Sequence, residues 1–435
     1  MRGVFDGLLA EISNVQVSSA LGRVAEVARG TVQVSGLQAK ARFGDRVLIG
    51  GILGGEVLRI GANGVQVLPD GPADGLALGA EVTLLGASGL APDDSWIGRI
   101  VDPYGRPMDD RPLFRGPALR NLMASAPAAS NRRRLGARMS TGVAVFDTLL
   151  PLVQGQRIGL FAGSGVGKSS LLAKFARGVQ ADVVVIALIG ERGRELREFV
   201  ERVLGPEGMR RSVIVAATSD QSALSRRRCA MAGMAVAEHF RDQGLHVLYL
   251  ADSITRFAEA HREVALAAGE TASMRGFPPS ISQAIMSLAE RAGPGPEGAG
   301  DITAVFTVLV AGSDMDEPIA DILRGVLDGH VVLDRKIAER GRYPAIDLLR
   351  SVSRSLPQAA TPDENALIGQ ARHLLGAWDR AEMMVQAGLY AKGSDPVVDA
   401  AIKVWPALDA FLAEDAPADG VPGSFRRLAA VLAAT

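Results

Sequence analysis

The segment Ala162-Gly163-Ser164-Gly165-Val166-Gly167-Lys168-Ser169-Ser170 concentrates the chemistry of this chain. Glycines at 163, 165 and 167 let consecutive backbone N–H groups turn around an anion with no Cβ in the way. The run Arg157-Ile158-Gly159-Leu160-Phe161 ahead of it reads as a strand, and Ser170 to Ala176 as the start of a helix. A helix N-terminus adds partial positive charge at that point. Lys168 is placed to reach the β- and γ-phosphates of a nucleoside triphosphate, and the Ser169 hydroxyl to ligate Mg²⁺. Ala162 stands where the pattern usually opens with glycine, and at the exit of a strand a methyl group is tolerable. The stretch is therefore a candidate site for ATP with Mg²⁺.

Such a site needs a carboxylate for the metal. Leu248-Tyr249-Leu250-Ala251-Asp252 supplies one at the end of an apolar run. Open parallel sheets bind ligands beyond the carboxyl ends of their strands, where both Ser169 and Asp252 would sit. Asp252 also suits a plain helix N-cap. The apolar run Val183 to Ile189 delivers Glu191 to the same edge, within Gly190-Glu191-Arg192-Gly193-Arg194-Glu195. A carboxylate there can orient and deprotonate water. On the residues alone, a solvated charge cluster fits this segment equally well.

These groups need a scaffold. Residues 1–20 carry Val4, Phe5, Leu8, Leu9 and Ile12 at helical spacing. From Gly22 to Gly86, short β-like runs at 31–34, 46–49, 56–60, 64–68 and 81–85 recur between Gly, Asp and Pro, the pattern of a small β-barrel or sandwich. Gly71 to Gly75 reads as a turn and Ser88 to Asp94 as a linker. From Trp96 to Arg350, apolar runs alternate with helical segments, which describes an α/β domain with a mainly parallel sheet. After Pro357 the pattern is helical: Glu364 to about Leu412, broken at Gly393-Ser394-Asp395-Pro396, with a short helix from Ser424 to Leu432.

Composition narrows the function. The chain has 435 residues, so more than one domain is expected, and its 47 Lys plus Arg against 48 Asp plus Glu demand neither nucleic acid nor an acidic membrane. Arginine is the default cation here, so a lone Arg says little. Cys229 is the single cysteine, which excludes an internal disulfide. The histidines at 239, 246, 261, 330 and 373 lack metal-ligand spacing. No secretory leader and no apolar run of about 18 residues is evident, so a cytoplasmic protein is expected.

The pieces together resemble the catalytic subunits of the rotary ATPase superfamily, and more closely the protein-export ATPases of flagellar and virulence type III secretion systems. The matching segments are Gly98 to Asp102 with Gly105-Arg106-Pro107, Thr141 to Asp147, the phosphate loop, Gly190 to Glu195, Asp252 to Phe257, Arg275 to Ser280, Leu327 to Leu333, Tyr343 to Asp347, and Ser351-Val352-Ser353-Arg354. Met315-Asp316-Glu317-Pro318-Ile319-Ala320-Asp321 and Ala387 to Asp395 look like the export branch rather than the ion-driven synthases. The flagellar member is favoured over the virulence one. An RNA-translocating ring is disfavoured, because residues 22–86 hold one aromatic, Phe43.

The resemblance implies a multidomain fold: a small N-terminal β-barrel (21–92), a central α/β RecA-like P-loop NTPase domain (93–350) and a C-terminal all-α domain (351–435). It implies a homo-hexamer and a Mg²⁺-dependent ATPase energising flagellar protein export. Glu191 then aligns with the carboxylate that activates water, Arg192 with its basic partner, and Arg354 with an arginine finger reaching the neighbouring subunit's γ-phosphate. Tyr343 aligns with the aromatic that packs on adenine. Residues 1–20 would form a helix holding a stator-like regulatory subunit. Further implied partners are the export gate, chaperones and export substrates, with peripheral attachment at the inner membrane and no nucleic acid.

Overall fold

A computed structural model describes residues 18–28, 30–310 and 315–433. The helix expected over residues 1–20 therefore lies, but for its last three positions, outside the described residues. Strands β1 to β6 (Leu21–Ala28, Thr31–Ser35, Arg46–Ile49, Leu53–Gly61, Gly64–Pro69, Glu81–Gly86) close a barrel in the order β1-β2-β5-β4-β3-β6. Alternate residues turn inward, so Val32, Val34, Val47, Ile49, Val65 and Val67 fill it. β1 went unread in the sequence because only Leu21 to Val24 alternate there; its second half is exposed on both sides.

The segment expected to be a linker is pinned instead. β7 (Gly89–Leu90) pairs antiparallel with β9 (Arg120–Asn121), and Leu90 is buried. Its polar neighbours mask one apolar anchor.

The central sheet runs β17-β16-β10-β15-β13-β11-β12-β8. Its strands are β8 (Arg99–Val101), β10 (Arg157–Ala162), β11 (Val183–Glu191), β12 (Ser212–Thr218), β13 (Val247–Asp252), β15 (Asp301–Leu309), β16 (Gly329–Leu333) and β17 (Ile346–Ser353), with β14 (Gly293–Pro294) beside β15. From β8 to β16 the neighbours on this path are parallel; β17 is antiparallel to β16. Along β11, Val184, Ile186 and Leu188 enter one core, while Val183, Val185 and Ala187 enter another on the opposite face. A strand covered on both sides must be apolar throughout, which is why β11 reads as one uninterrupted run.

Three helices close the chain: Pro362–Gln386, Pro396–Phe411 and Val421–Leu432. The first opens with a capping box, the Glu364 N–H donating to Thr361 Oγ1 at 3.3 Å and the Thr361 N–H to Glu364 Oε2 at 2.8 Å. Leu374, Leu408, Phe411 and Leu428 join the same core as Phe146 and Phe175 of the sheet domain. No helix among the described residues is long and apolar enough to cross a membrane.

Polar contacts join barrel to sheet domain. The Tyr104 hydroxyl donates to Asp70 at 2.8 Å, and the guanidinium groups of Arg46 and Arg228 each lie 4.8 Å from its ring centroid. Burial, then the Asp70 charge, pushes the phenol up to about 12. Arg227 pairs with Glu56 of β4.

Candidate nucleotide site

β10 ends at Ala162, and the chain turns through Gly163 to Gly167 into the helix Lys168–Gly178. Gly167 is the N-cap with φ +85°, and a Cβ placed there would meet Tyr343 Cδ1 at 2.9 Å. Both conformation and space require glycine at that point. Gly163 is different: the single neighbour of a Cβ there would be Val310 O at 3.8 Å, so packing leaves that space free.

Parallel strands deliver the acids. β11 and β13 run in register, Leu188 beside Asp252, so Glu191 projects just beyond Asp252 at the carboxyl edge. Asp252 is 4% exposed at its side chain and accepts from Thr307 Oγ1 at 2.7 Å and from the Lys168 ammonium. The same ammonium is 3.9 Å from Glu191 Oε1. A cavity of about 250 Å³ is lined by Ser169, Leu188, Glu191, Glu195, Phe199 and Asp252. A buried carboxylate beside a serine hydroxyl is an oxygen donor set that suits Mg²⁺, and the open glycine turn suits phosphate.

Glu191 titrates abnormally. Burial, followed by the Asp252 charge, pushes its carboxyl up to about 7 against the opposing pull of Lys168, and a hydrogen bond with Glu195 adds to the rise. That hydrogen bond holds Glu195 below its ordinary value, helped by Arg192. A carboxylate poised near neutrality can take a proton from water at working pH.

The sequence-picked residues divide in space. Lys168, Ser169, Glu191 and Asp252 converge, with the whole loop from Ala162 to Ser170 beside them. Tyr343 is 49% exposed and lies on the loop at Gly167. Arg192 faces outward, 79% exposed and paired with Glu195 at 3.1 Å. Arg354 does not join them. Ala162 is level with Leu333 and Leu333 with Ile346, whereas Ser353 is level with Gly329 at the other end of the antiparallel pair. The Arg354 N–H donates to Asp328 O, and the Asp328 N–H to the carbonyl of Arg157 at the start of β10. A strand rises about 3.3 Å per residue, so Arg354 and the loop are separated by a strand length of about 16–20 Å.

Sequence reasoning missed two groups. Thr307 orients Asp252 from within an apolar run, where a lone hydroxyl was the available signal. Glu195 reads in the sequence as one more charge of its segment, yet it bonds to Glu191.

A parallel sheet with helices on both faces, a glycine loop feeding a helix, and acids at the strand ends define a RecA-like P-loop NTPase. Residues 142–353 match the nucleotide-binding domain of the ATP synthase alpha/beta family, and residues 360–418 the C-terminal domain of the type III secretion ATPase EscN. The flagellum-specific ATP synthase of Caulobacter vibrioides is 44% identical, covering 98% of each chain. The type 3 secretion system ATPase of Xanthomonas euvesicatoria is 42% identical, covering 93% of this chain and 92% of its own. The assembled EscN of enteropathogenic E. coli superposes with a TM-score of 0.87 at 36% identity, covering 94% of this chain and 100% of EscN; it is also solved with its central stalk EscO. The chain belongs to the family of flagellum-specific ATP synthases and type III secretion ATPases.

Proposed function

We propose that this export ATPase of flagellar type hydrolyses ATP at sites shared between neighbouring subunits of a six-membered ring. One observation carries the reading: Ser169, Glu191 and Asp252 line one cavity and the Lys168 ammonium pairs with both acids, while Arg354 stands at the opposite end of the same sheet. A ring lets the Arg354 of one subunit complete the site of the next.

The loop N–H groups and Lys168 bind the phosphates, Lys168 exchanging Asp252 for the γ-phosphate. Ser169 and Asp252 hold Mg²⁺, which when bound neutralises phosphate charge. Tyr343, already against the loop, packs on adenine. Glu191 orients the attacking water and takes its proton, its carboxyl near neutrality matching that task. Arg192 acts through Glu195 rather than on the substrate. Arg354 of the neighbour offsets charge developing on the transferred phosphoryl group.

Domain limits of 21–92, 93–350 and 351–435 belong to the same reading, except that β17 carries the central sheet to Ser353 and moves the last limit past it. So do residues 1–20 as the holder of a stator-like subunit, and a cytoplasmic ring peripheral to the inner-membrane export gate, receiving chaperones and export substrates. The assembly of EscN, and its complex with a central stalk, support a ring with a regulatory partner. The extent of likeness to the Caulobacter flagellar protein favours flagellar export; the Xanthomonas match keeps virulence export as the second reading. Deleting the gene separates them: loss of motility with effector secretion intact supports the first, and the reverse supports the second.

A further inference from the structure

Glu191 is aimed by a turn rather than by its strand alone. The register between β11 and β12 shifts between Ile189 and Glu191, and Gly190 has φ +69°. A bulge of this kind re-aims the side chain that follows it. Two stems pack on the turn. A Cβ on Gly190 would lie 3.5 Å from Arg226 Cδ and 3.5 Å from Arg256 Cβ.

The two arginines are held differently. Arg256 is 44% exposed and makes an i,i+3 pair with Glu259. Arg226 is 16% exposed; its Nε donates to Gln221 O at 3.2 Å and its Nη2 to both oxygens of Glu263 at 2.9 and 3.1 Å. Gln221 belongs to the loop whose Ser219 N–H donates to Glu191 O at 2.9 Å. Arg226 thus clamps both sides of the bulge, the Gly190 turn by its stem and the Gln221 loop by its head. Its base is fixed as well, since Arg227 and Arg228 on the same helical turn are bonded to Glu56 and to Pro103 O. Arg226 does not line the cavity.

We propose that Arg226 is a positioning residue that locks the Gly190 bulge and with it the direction of Glu191. This rests on the reading of Glu191 as the group that activates water. In the full chain, Arg226→Met keeps the stem's bulk and removes the clamp. It should lower kcat at least about tenfold, since small misplacements of a catalytic group are expensive, and leave the Kd of a fluorescent ATP analogue within about twofold. Arg226→Lys should recover part of the rate through Glu263.

A double-mutant cycle read on single-turnover rates isolates the effect: the Arg226→Met loss should disappear from the small residual rate of Glu191→Gln. Equal fractional losses in both backgrounds, or a parental kcat in Arg226→Met, overturn the inference. Parental turnover in Glu191→Gln alone overturns the base assignment instead. Amide exchange then reads the clamp directly: Arg226→Met should speed exchange across 190–195 and 218–222 but not along β13. Unchanged exchange at those segments overturns the inference whatever the rates.

Discussion

The Lys168 ammonium is bonded to the Asp252 carboxylate, joining the first turn of a helix to the end of β13, 84 residues further along the chain. Two strand–loop units are thereby tied at one point, and Thr307 Oγ1 holds the same oxygen at 2.7 Å. Lys168→Ala should abolish hydrolysis, because a charge aimed at the γ-phosphate contributes several kcal/mol. Thr307→Val is the finer test. The carboxylate loses its orienting donor, and Mg²⁺ affinity should fall about 10-fold, the lower end for groups that orient a metal ligand. Titration of Mg²⁺ against nucleotide fluorescence reads it.

Glu191→Gln should bind ATP and fail to turn it over, since an amide accepts no proton. The pH dependence follows from the raised carboxyl. Protonated Glu191 cannot act as a base, so the parental rate should fall as pH drops through about 7. Stability moves the other way. A carboxyl raised above its ordinary 4.5 contributes fully below that value, and the contribution is lost as pH rises through about 7. Glu191→Gln should therefore stabilise the protein at pH 8, the gain shrinking towards pH 4.5. Melting curves across that range would contradict the assignment if the difference were flat.

Arg354→Ala and Lys168→Ala should each be inactive alone. Mixed into common rings they should recover partial activity, at interfaces pairing an intact loop with an intact arginine. No recovery in demonstrably mixed rings excludes sharing.

Gly167→Ala should weaken nucleotide binding at least about tenfold, because a methyl group must take φ +85° and meet Tyr343 Cδ1 at 2.9 Å. In a Tyr343→Ala background the steric part is relieved, so binding lost to Gly167→Ala should be smaller there. Equal losses in both backgrounds would leave backbone strain as the whole effect.

Deleting residues 2–14 should abolish capture of a stator-like partner and leave basal hydrolysis near parental. Burying two or three side chains such as Phe5 and Leu9 would contribute on the order of 1.5–3 kcal/mol each before ordering costs. Undiminished pull-down of the partner by the truncated chain contradicts this.

Much of the site was legible because its chemistry is local. The loop from Ala162 to Ser169 carries its own punctuation, and Asp252 ends a run too apolar to be anything but a covered strand. The barrel's alternation gave five of its strands, and β1 escaped because half of it faces solvent on both sides. What stayed hidden depends on direction. Glu191 enters the cavity only because Gly190 bulges, and Arg226, Arg227 and Arg228 read alike until a helix turns each about 100° from the last. One then clamps the bulge, one meets the barrel, and one lies over Tyr104.

The separation of Arg354 from its own loop along the sheet has a consequence for inheritance. Under the shared-site reading each chain is half of two catalytic units, one on either flank. A subunit defective in both halves therefore spoils its left and right neighbours together. Co-expressed with the parental gene, Lys168→Ala combined with Arg354→Ala should behave as a dominant allele, depressing cellular function further than its share of the protein. A chain that kept its arginine beside its own loop would be recessive.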